Sequence, residues 1–483
     1  MHTKRYYWMV AVAALAACKV DGHFVSLDGG VTDTAVPGDR PVPPDGGPPM
    51  GWAVAFGSSG RDAFNDLALD ASGALVAVGS FEGSVTFGGP SLISKGERDA
   101  MVVKLDATGR HVWSKAFGGT STDGLAAVAL DPAGNVYVLG SFVGSIDVDG
   151  ATLTAVGPND GFVAKLDGTT GSRVWAFRFG ALGAAEFELE DAIAVSADGT
   201  KLATSGQFFG TANFGGTDIT QAGGGDVFVA VYATADGAHL WSRGFGGTGL
   251  DEARGVAFDA NGGVIIVGEY RGPASFGGAQ PLSSNAGSAD VFVARYAVSN
   301  GGFLWANGYG SFDADRANAV RVDAGAVFVA GSFAGGGAGI SLGGAPLVSA
   351  GGTDGFVAKY DAATGSHIWS KPLGGTGEDR ALDLAVTDEV WVTASFSGTT
   401  SIGNASYTSA GISDVAFGAF TLPTGNPGAS GAFGGPNVDQ GNAVAASLTA
   451  LCIAGSFTAS TTVYGNPLSG AGMTDAFIGC KAP

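Results

Sequence analysis

Apolar residues in this chain come in short runs, broken by clusters of Gly, Asp, Asn and Ser. One stretch shows the pattern. Leu125–Leu130 (LAAVAL) is followed by the turn DPAGN, then by Val136–Phe142 (VYVLGSF). About 17 Gly-rich residues lead to Asp160–Leu166 (DGFVAKL), the turn DGTTG and finally SRVWAFRF. Runs of this length between turn residues predict β-strands, and no segment sustains the 3.6-residue apolar period of a helix. Pro132 suits a turn corner, and Gly134 can take a positive φ at little cost.

The pattern repeats. The motif that starts the third strand places Asp99, Asp160, Asp226, Asp290, Asp354, Asp414 and Asp475 at intervals of 60 to 66 residues. Trp52, Trp113, Trp175, Trp241, Trp305 and Trp369 keep the same spacing, and one further step reaches Ala429, where the Trp is lost. Seven copies of four short strands fit propeller blades better than a solenoid. The ends of the pattern predict closure. WAVAF at Trp52–Phe56 aligns with strand four, whereas the last copy stops after strand three, DAFIGC. An N-terminal strand that completes the last blade would remove both open sheet edges. The expectation is an all-β, seven-bladed β-propeller over residues 51–483, four strands per blade.

The units D-x-A-x-x-V-A-x-D-x-x-G-N-V-Y-V-x-G-S-F and D-G-F-V-A-K-L-D resemble the bacterial seven-bladed β-propeller (SBBP) repeat family over roughly residues 52–483. That resemblance implies a secreted or surface binding module rather than a reaction. The turn-plus-Trp element is also similar to the docking motif of quinoprotein propellers. Those have eight blades and a vicinal cysteine pair, and this chain has seven repeats and no Cys-Cys dipeptide.

Composition narrows the partners. A net charge of −20 repels phosphate backbones, which argues against nucleic acid and suits a soluble, exposed protein or a cationic ligand. At the N-terminus, Lys4 and Arg5 precede an apolar run from Tyr6 to Ala17, a signal-peptide core too short to span a membrane. LAAC (Leu15–Cys18) resembles the bacterial lipobox, which implies cleavage after residue 17 and acylation of Cys18. The alternative is an ordinary cleavage site that ends in Cys. With Lys19 rather than Asp after the Cys, the lipobox resemblance implies the outer membrane rather than retention in the inner one. Residues 18–50, Pro-rich and without periodicity, read as a tether that lifts the ring off the lipid.

Cys452 and Cys480 fall in strands two and three of the last blade, so they are expected to be neighbours. A disulfide there would fasten the seam of the ring, and two buried free thiols on opposite faces are the alternative. Strands one and three both run away from one face, so the carboxylates at their starts should gather on it. One set is the seven strand-three aspartates named above. The other is Asp62, Asp123, Glu188, Asp251, Asp315, Asp379 and Asp439. Rings of oxygen ligands could hold Ca²⁺, or each acid could cap the N–H groups of its own tight turn. Because every blade keeps the acid, capping is the expectation.

Symmetry breaks at three places: the loop with Glu186, Glu188, Glu190 and Asp191, the stretch GEYRG (Gly268–Gly272), and SIDVDG with Asp147 and Asp149. His111, His239 and His367 occupy one slot in alternate blades and cannot converge on one metal. No nucleophile–base pairing, phosphate loop or zinc spacing is present, so neither an enzyme nor a cofactor is expected. The reading is a monomeric, envelope-anchored lipoprotein that binds a protein or polysaccharide. The alternatives are an outer-membrane assembly factor and, last, a quinoprotein-like enzyme.

Overall fold

The computed structural model describes residues 51–182, 192–285, 287–334 and 339–483. The segments read as signal peptide (1–17) and tether (18–50), with Cys18, lie outside the described residues, as does the loop with Glu186, Glu188, Glu190 and Asp191. Among the described residues the regular elements are all strands.

Seven antiparallel four-stranded sheets follow one another along the chain. Blade one consists of Ala63–Leu69, Leu75–Phe81, Asp99–Leu105 and His111–Phe117, hydrogen-bonded in that order. Blade seven takes Asp439–Ala446, Leu451–Phe457 and Asp475–Lys481, and Trp52–Phe56 completes it as the outer strand. Trp52 lies opposite Cys480 and Phe56 opposite Ala476. The ring is closed as the register of the repeats predicts. Cys452 and Cys480 are directly opposed in the same sheet and joined by a disulfide.

Strands two and three read as continuous apolar runs because each blade is covered on both faces. Val76, Val78, Ala100 and Val102 of blade one meet Leu125, Val128, Val138 and Phe162 of blade two in one buried cluster. Equivalent clusters fill the other junctions, so the core is divided between blades rather than central.

The stretch between strands two and three holds more than a link. It folds as a short two-stranded ribbon, such as Ser145–Val148 with Ala151–Thr154, or Thr399–Ile402 with Thr408–Ala405. The ribbon reaches back to the outer strand of the preceding blade, pairing Gly180 with Asn213 and Gly374 with Ser401. Its alternation buries one face: Val85 and Phe87, Ile146 and Val148, Ala212 and Phe214.

The outer-strand tryptophans bind each blade to the next. Indole Nε1 donates to a carbonyl in the strand three–four turn of the following blade. The bonds are Trp113 to Gly168 (3.2 Å), Trp175 to Thr234 (3.2 Å), Trp241 to Val298 (2.8 Å) and Trp369 to Leu422 (3.1 Å). The indole face lies against a turn glycine at positive φ, Gly171 under Trp113 and Gly301 under Trp241, where a Cβ would meet the ring below 3 Å. Strand-three lysines donate to the same carbonyls: Lys104 to Gly168, Lys165 to Thr234 and Lys359 to Leu422. This explains the missing Trp at position 429. Blade seven takes its outer strand from Trp52–Phe56, so no turn joins its strands three and four, and a Trp in blade six would have nothing to dock on.

Trp241→Ala should therefore lose about 3–5 kcal/mol of stability, read as a shift in urea midpoint. Ala429→Trp should gain none. Deleting residues 51–57 should expose the Asp475–Lys481 edge and produce aggregates in size-exclusion chromatography. A monomeric, unshifted deletion variant would overturn the closure.

Candidate functional site

The two sets of carboxylates meet in pairs at the blade junctions. The segment before strand three of one blade runs parallel to the segment before strand one of the next, with bridges at Arg98–Thr122, Gly225–Leu250 and Ser413–Val438. This sets Asp99 beside Asp123, Asp226 beside Asp251, Asp290 beside Asp315, Asp354 beside Asp379, Asp414 beside Asp439, and Asp475 beside Asp62. Each described strand-one acid accepts the N–H four residues upstream. Asp62 takes Ser58 (2.7 Å), Asp123 takes Gly119 (2.7 Å), Asp251 takes Gly247 (2.7 Å), Asp379 takes Gly375 (2.8 Å) and Asp439 takes Gly435 (2.7 Å), while Asp315 takes Ser311. Most strand-three acids do the same, as Asp99 does with Lys95 and Asp414 with Ala410. Each acid of the proposed calcium set thus sits in its own junction, occupied with a turn. Glu188 lies outside the described residues. Among the described residues, no three His, Cys, Asp or Glu side chains gather as a metal site.

Burial of these pairs has an electrostatic cost. Desolvation first, and then the neighbouring acid, pushes Asp123 and Asp315 up to about 7 and Asp251, Asp379 and Asp439 up to about 6. Several turn aspartates move the other way. Hydrogen bonds from Thr170 lower Asp167, and bonds from Ser196 and Thr200 bring Asp198 to about 2.

The site that breaks the sevenfold pattern is the central channel. The strand-one segments of all seven blades line a cavity of about 810 Å³. Four residues beyond each junction acid the wall holds Asp66, Ala127, Ala192, Gly255, Ala319 and Asp383, whereas Ala443, at that position in blade seven, is buried in the cluster shared with blade one. Two residues further the wall holds Ala68, Ala129, Ala194, Ala257, Arg321, Ala385 and Ala445. Small side chains at these positions keep the lumen open, and Asp66, Arg321 and Asp383 interrupt them in blades one, five and six; Arg254 and Asp323 line it beside them.

A β-bulge in strand one positions these groups. In blade one the register shifts between Phe64 and Asp66, in blade five between Ala317 and Ala319, and in blade six between Ala381 and Asp383. The bulge turns side chains toward the next blade. Asn65 Nδ2 donates to Leu125 O (2.8 Å), Asn318 Nδ2 to Ala381 O (2.7 Å) and Asn442 Nδ2 to Phe64 O (2.8 Å). Asp66 accepts Leu67 N–H on one oxygen and Val128 N–H on the other, both at 2.8 Å. Asp383 accepts Val444 N–H (2.9 Å) and pairs with Arg321 Nη2 (3.2 Å). Desolvation, and then the charge of Asp383, hold Asp66 well above the ordinary carboxylate range, and Arg321 opposes the rise.

At the channel end where strand one begins, GEYRG acquires a place. Its Glu269 is buried and pairs with Arg316 at 2.7 Å, and neighbouring Glu252 pairs with Arg254 at 3.0 Å. Serine fills the Glu269 slot in blades one, two, five, six and seven, and Gln207 fills it in blade three, donating to Asp251 O at 3.1 Å. The SIDVDG acids form surface ion pairs instead, Asp147 with Lys95 (3.2 Å) and Asp149 with Lys115 (2.9 Å). The slot histidines meet serines three residues on: His111–Ser114 and His239–Ser242 at 3.1 Å, His367–Ser370 at 3.2 Å. They support Gly-Gly turns, since a Cβ at Gly89, Gly216 or Gly344 would strike the imidazole.

Sequence reasoning missed Asp66, Arg321 and Asp383. The signal was available: in the aligned repeats, charge replaces Ala or Gly at just these three of the fourteen positions four and six residues beyond the strand-one acids.

No protein-family model and no curated protein matches this chain. Solved structures similar to it include BamB from Moraxella catarrhalis, at 13% identity, with 86% of this chain and 85% of that chain covered and a TM-score of 0.35. Quinohemoprotein alcohol dehydrogenase from Comamonas testosteroni has 12% identity, covers 89% and 76%, and scores 0.37. The Dos1 propeller has 8% identity, covers 89% and 95%, and scores 0.40. At such identities and scores the likeness carries nothing about ligand or activity.

The junction acids predict an acid-shifted stability profile. Their folded pKa values lie above the unfolded value of about 3.8, so the folded state binds extra protons between about pH 4 and 7. Their contribution is complete below that window and is lost as pH rises through 6 to 7. The lowered turn aspartates work oppositely and lose their contribution as pH falls below about 4. Thermal unfolding should therefore show a maximum near pH 4–5 and a melting temperature several degrees lower at pH 8. Asp123→Asn should flatten that slope. A profile that rises steadily from pH 5 to 8 would contradict the assignment.

Proposed function

We propose that this protein is a cell-envelope lipoprotein, acylated on Cys18, whose propeller is a non-catalytic binding module for a protein or polysaccharide partner. The apolar run ending in LAAC, and the Pro-rich stretch behind it, support an anchor and a spacer. The likeness of the repeats to the bacterial seven-bladed propeller family supports a binding rather than a catalytic role. The observation that carries the reading is the channel wall. Blade scaffolding needs the same residues seven times, whereas Asp66, Arg321 and Asp383 each replace a small residue and face an open lumen. Charge placed against the symmetry of a rigid scaffold is the pattern of a recognition site.

Cys18→Ser should release the protein from membranes or block its processing without altering the melting of the ring. Normal processing and unchanged membrane fractionation of that variant would remove the anchor from the proposal. For the site, the acyl-free mature chain (19–483) should recover an envelope component that the Arg321→Ala chain recovers at least about tenfold less well. Equal recovery by both chains would reject the channel as the binding site.

A further inference from the structure

We propose that the channel receives a primary ammonium group, seated on Asp66. This rests on reading the channel as the binding site and specifies the ligand chemistry. The charges of the lumen are unevenly matched. Arg321 is held by Asp383 at 3.2 Å, and Arg254 by Glu252 at 3.0 Å toward the mouth. Asp66 and Asp323 have no cationic side chain in ion-pair contact among the described residues, and of the two Asp66 is set within the wall while Asp323 is exposed at the end of its strand. Ala68, Ala127 and Ala445 in the same wall leave room for a ligand.

The acceptor geometry selects the kind of cation. Each Asp66 oxygen already takes one backbone N–H, from Leu67 and from Val128, which leaves one lone pair on each. A guanidinium fork needs both oxygens along one edge and would compete with those bonds. A divalent metal needs six or more oxygens, and the second carboxylate, Asp383, is committed to Arg321 and Val444 N–H. An ammonium is a compact charge with three rotatable donors. Asn65 and Asn442 line the same cavity, and each spends its amide nitrogen on a carbonyl, which leaves its amide oxygen to accept. One carboxylate and two amide oxygens match three N–H donors. A lysine side chain and an amino sugar both carry this group.

The test is calorimetric titration of the mature chain (19–483) at pH 8 with three amines: 1,5-diaminopentane, Nα-acetyl-lysine methylamide and methyl glucosaminide. The neutral controls are 1,5-pentanediol, the Nε-acetylated lysine derivative and methyl N-acetylglucosaminide. At least one amine should bind saturably, and its neutral counterpart at least about tenfold more weakly. The second and third amines separate a lysine source from an amino-sugar source. Asp66→Asn keeps an oxygen for one backbone N–H and should weaken the amine about tenfold or more. If that variant fails to fold, Ala68→Leu, which fills the lumen without touching the hydrogen bonds, should have the same effect. No saturable binding by any amine, equal binding of a neutral control, or unchanged binding by a folded Asp66→Asn chain would each overturn the inference. Recovery of an envelope partner without amine binding would sink the ammonium alone. Amine binding without a partner would sink only the envelope role.

Discussion

The ring depends on the docking of one blade's outer-strand tryptophan onto the next blade's last turn. A propeller blade is a small twisted sheet that cannot bury its faces alone, so its stability lies in its contacts with neighbours. Apolar clusters at each junction supply most of that burial, but they are non-directional and would tolerate sliding. The indole adds direction. Its face rests on a glycine that must take positive φ, and its N–H ends on a carbonyl that a strand-three lysine also reaches at three junctions. Angle and spacing between blades are thereby set at the rim, which in turn sets the radius of the channel. The seam obeys the same rule, because Trp52 of blade seven docks on Ala107 of blade one at 3.3 Å.

At one face, paired aspartates hold the segments that enter strands three and one. The pairing satisfies turn N–H groups that would otherwise be buried without partners. It also brings like charges together away from water, so the scaffold accepts an electrostatic cost in exchange for ordered turns. The same residue type has a different part in the lumen. Asp66 and Asp383 each tie a bulged strand to its neighbour through a backbone N–H, and one of them is neutralised by Arg321 while the other is not. Structural work and a carboxylate without an ion-pair partner among the described residues coexist in Asp66.

The period, the number of blades, the four strands and the borrowed outer strand were legible along the chain. Turn glycines, strand-length apolar runs and tryptophan spacing are local signals, and a ring multiplies each of them seven times. The lost Trp at Ala429 was visible too, but its cause was not, because the reason is the absence of a turn in a different blade. The ribbon after strand two was read as a Gly-rich link. Its alternation, as in Val85 and Phe87, spans too few residues to outweigh the surrounding glycines until the preceding blade covers it. The two carboxylate sets were placed on one face from strand direction alone. That they meet in pairs across junctions follows from parallel approach of two segments distant in sequence, which no local pattern encodes.

By itself, then, the sequence determined what depends on neighbours along the chain: strand, turn, repeat and the offset that closes the ring. Tertiary structure decided what depends on neighbours around the ring. Whether Asp66 has a counterion is set by which blade Arg321 leans toward, and Arg321 leans toward Asp383. Lumen-facing character is set by the bulge and the blade tilt, which turn a one-residue difference in strand one into a difference between core and channel. Burial strengths and pairings of charge arise from folding the seven units against each other, so the chemistry of the channel emerges only when the ring is closed.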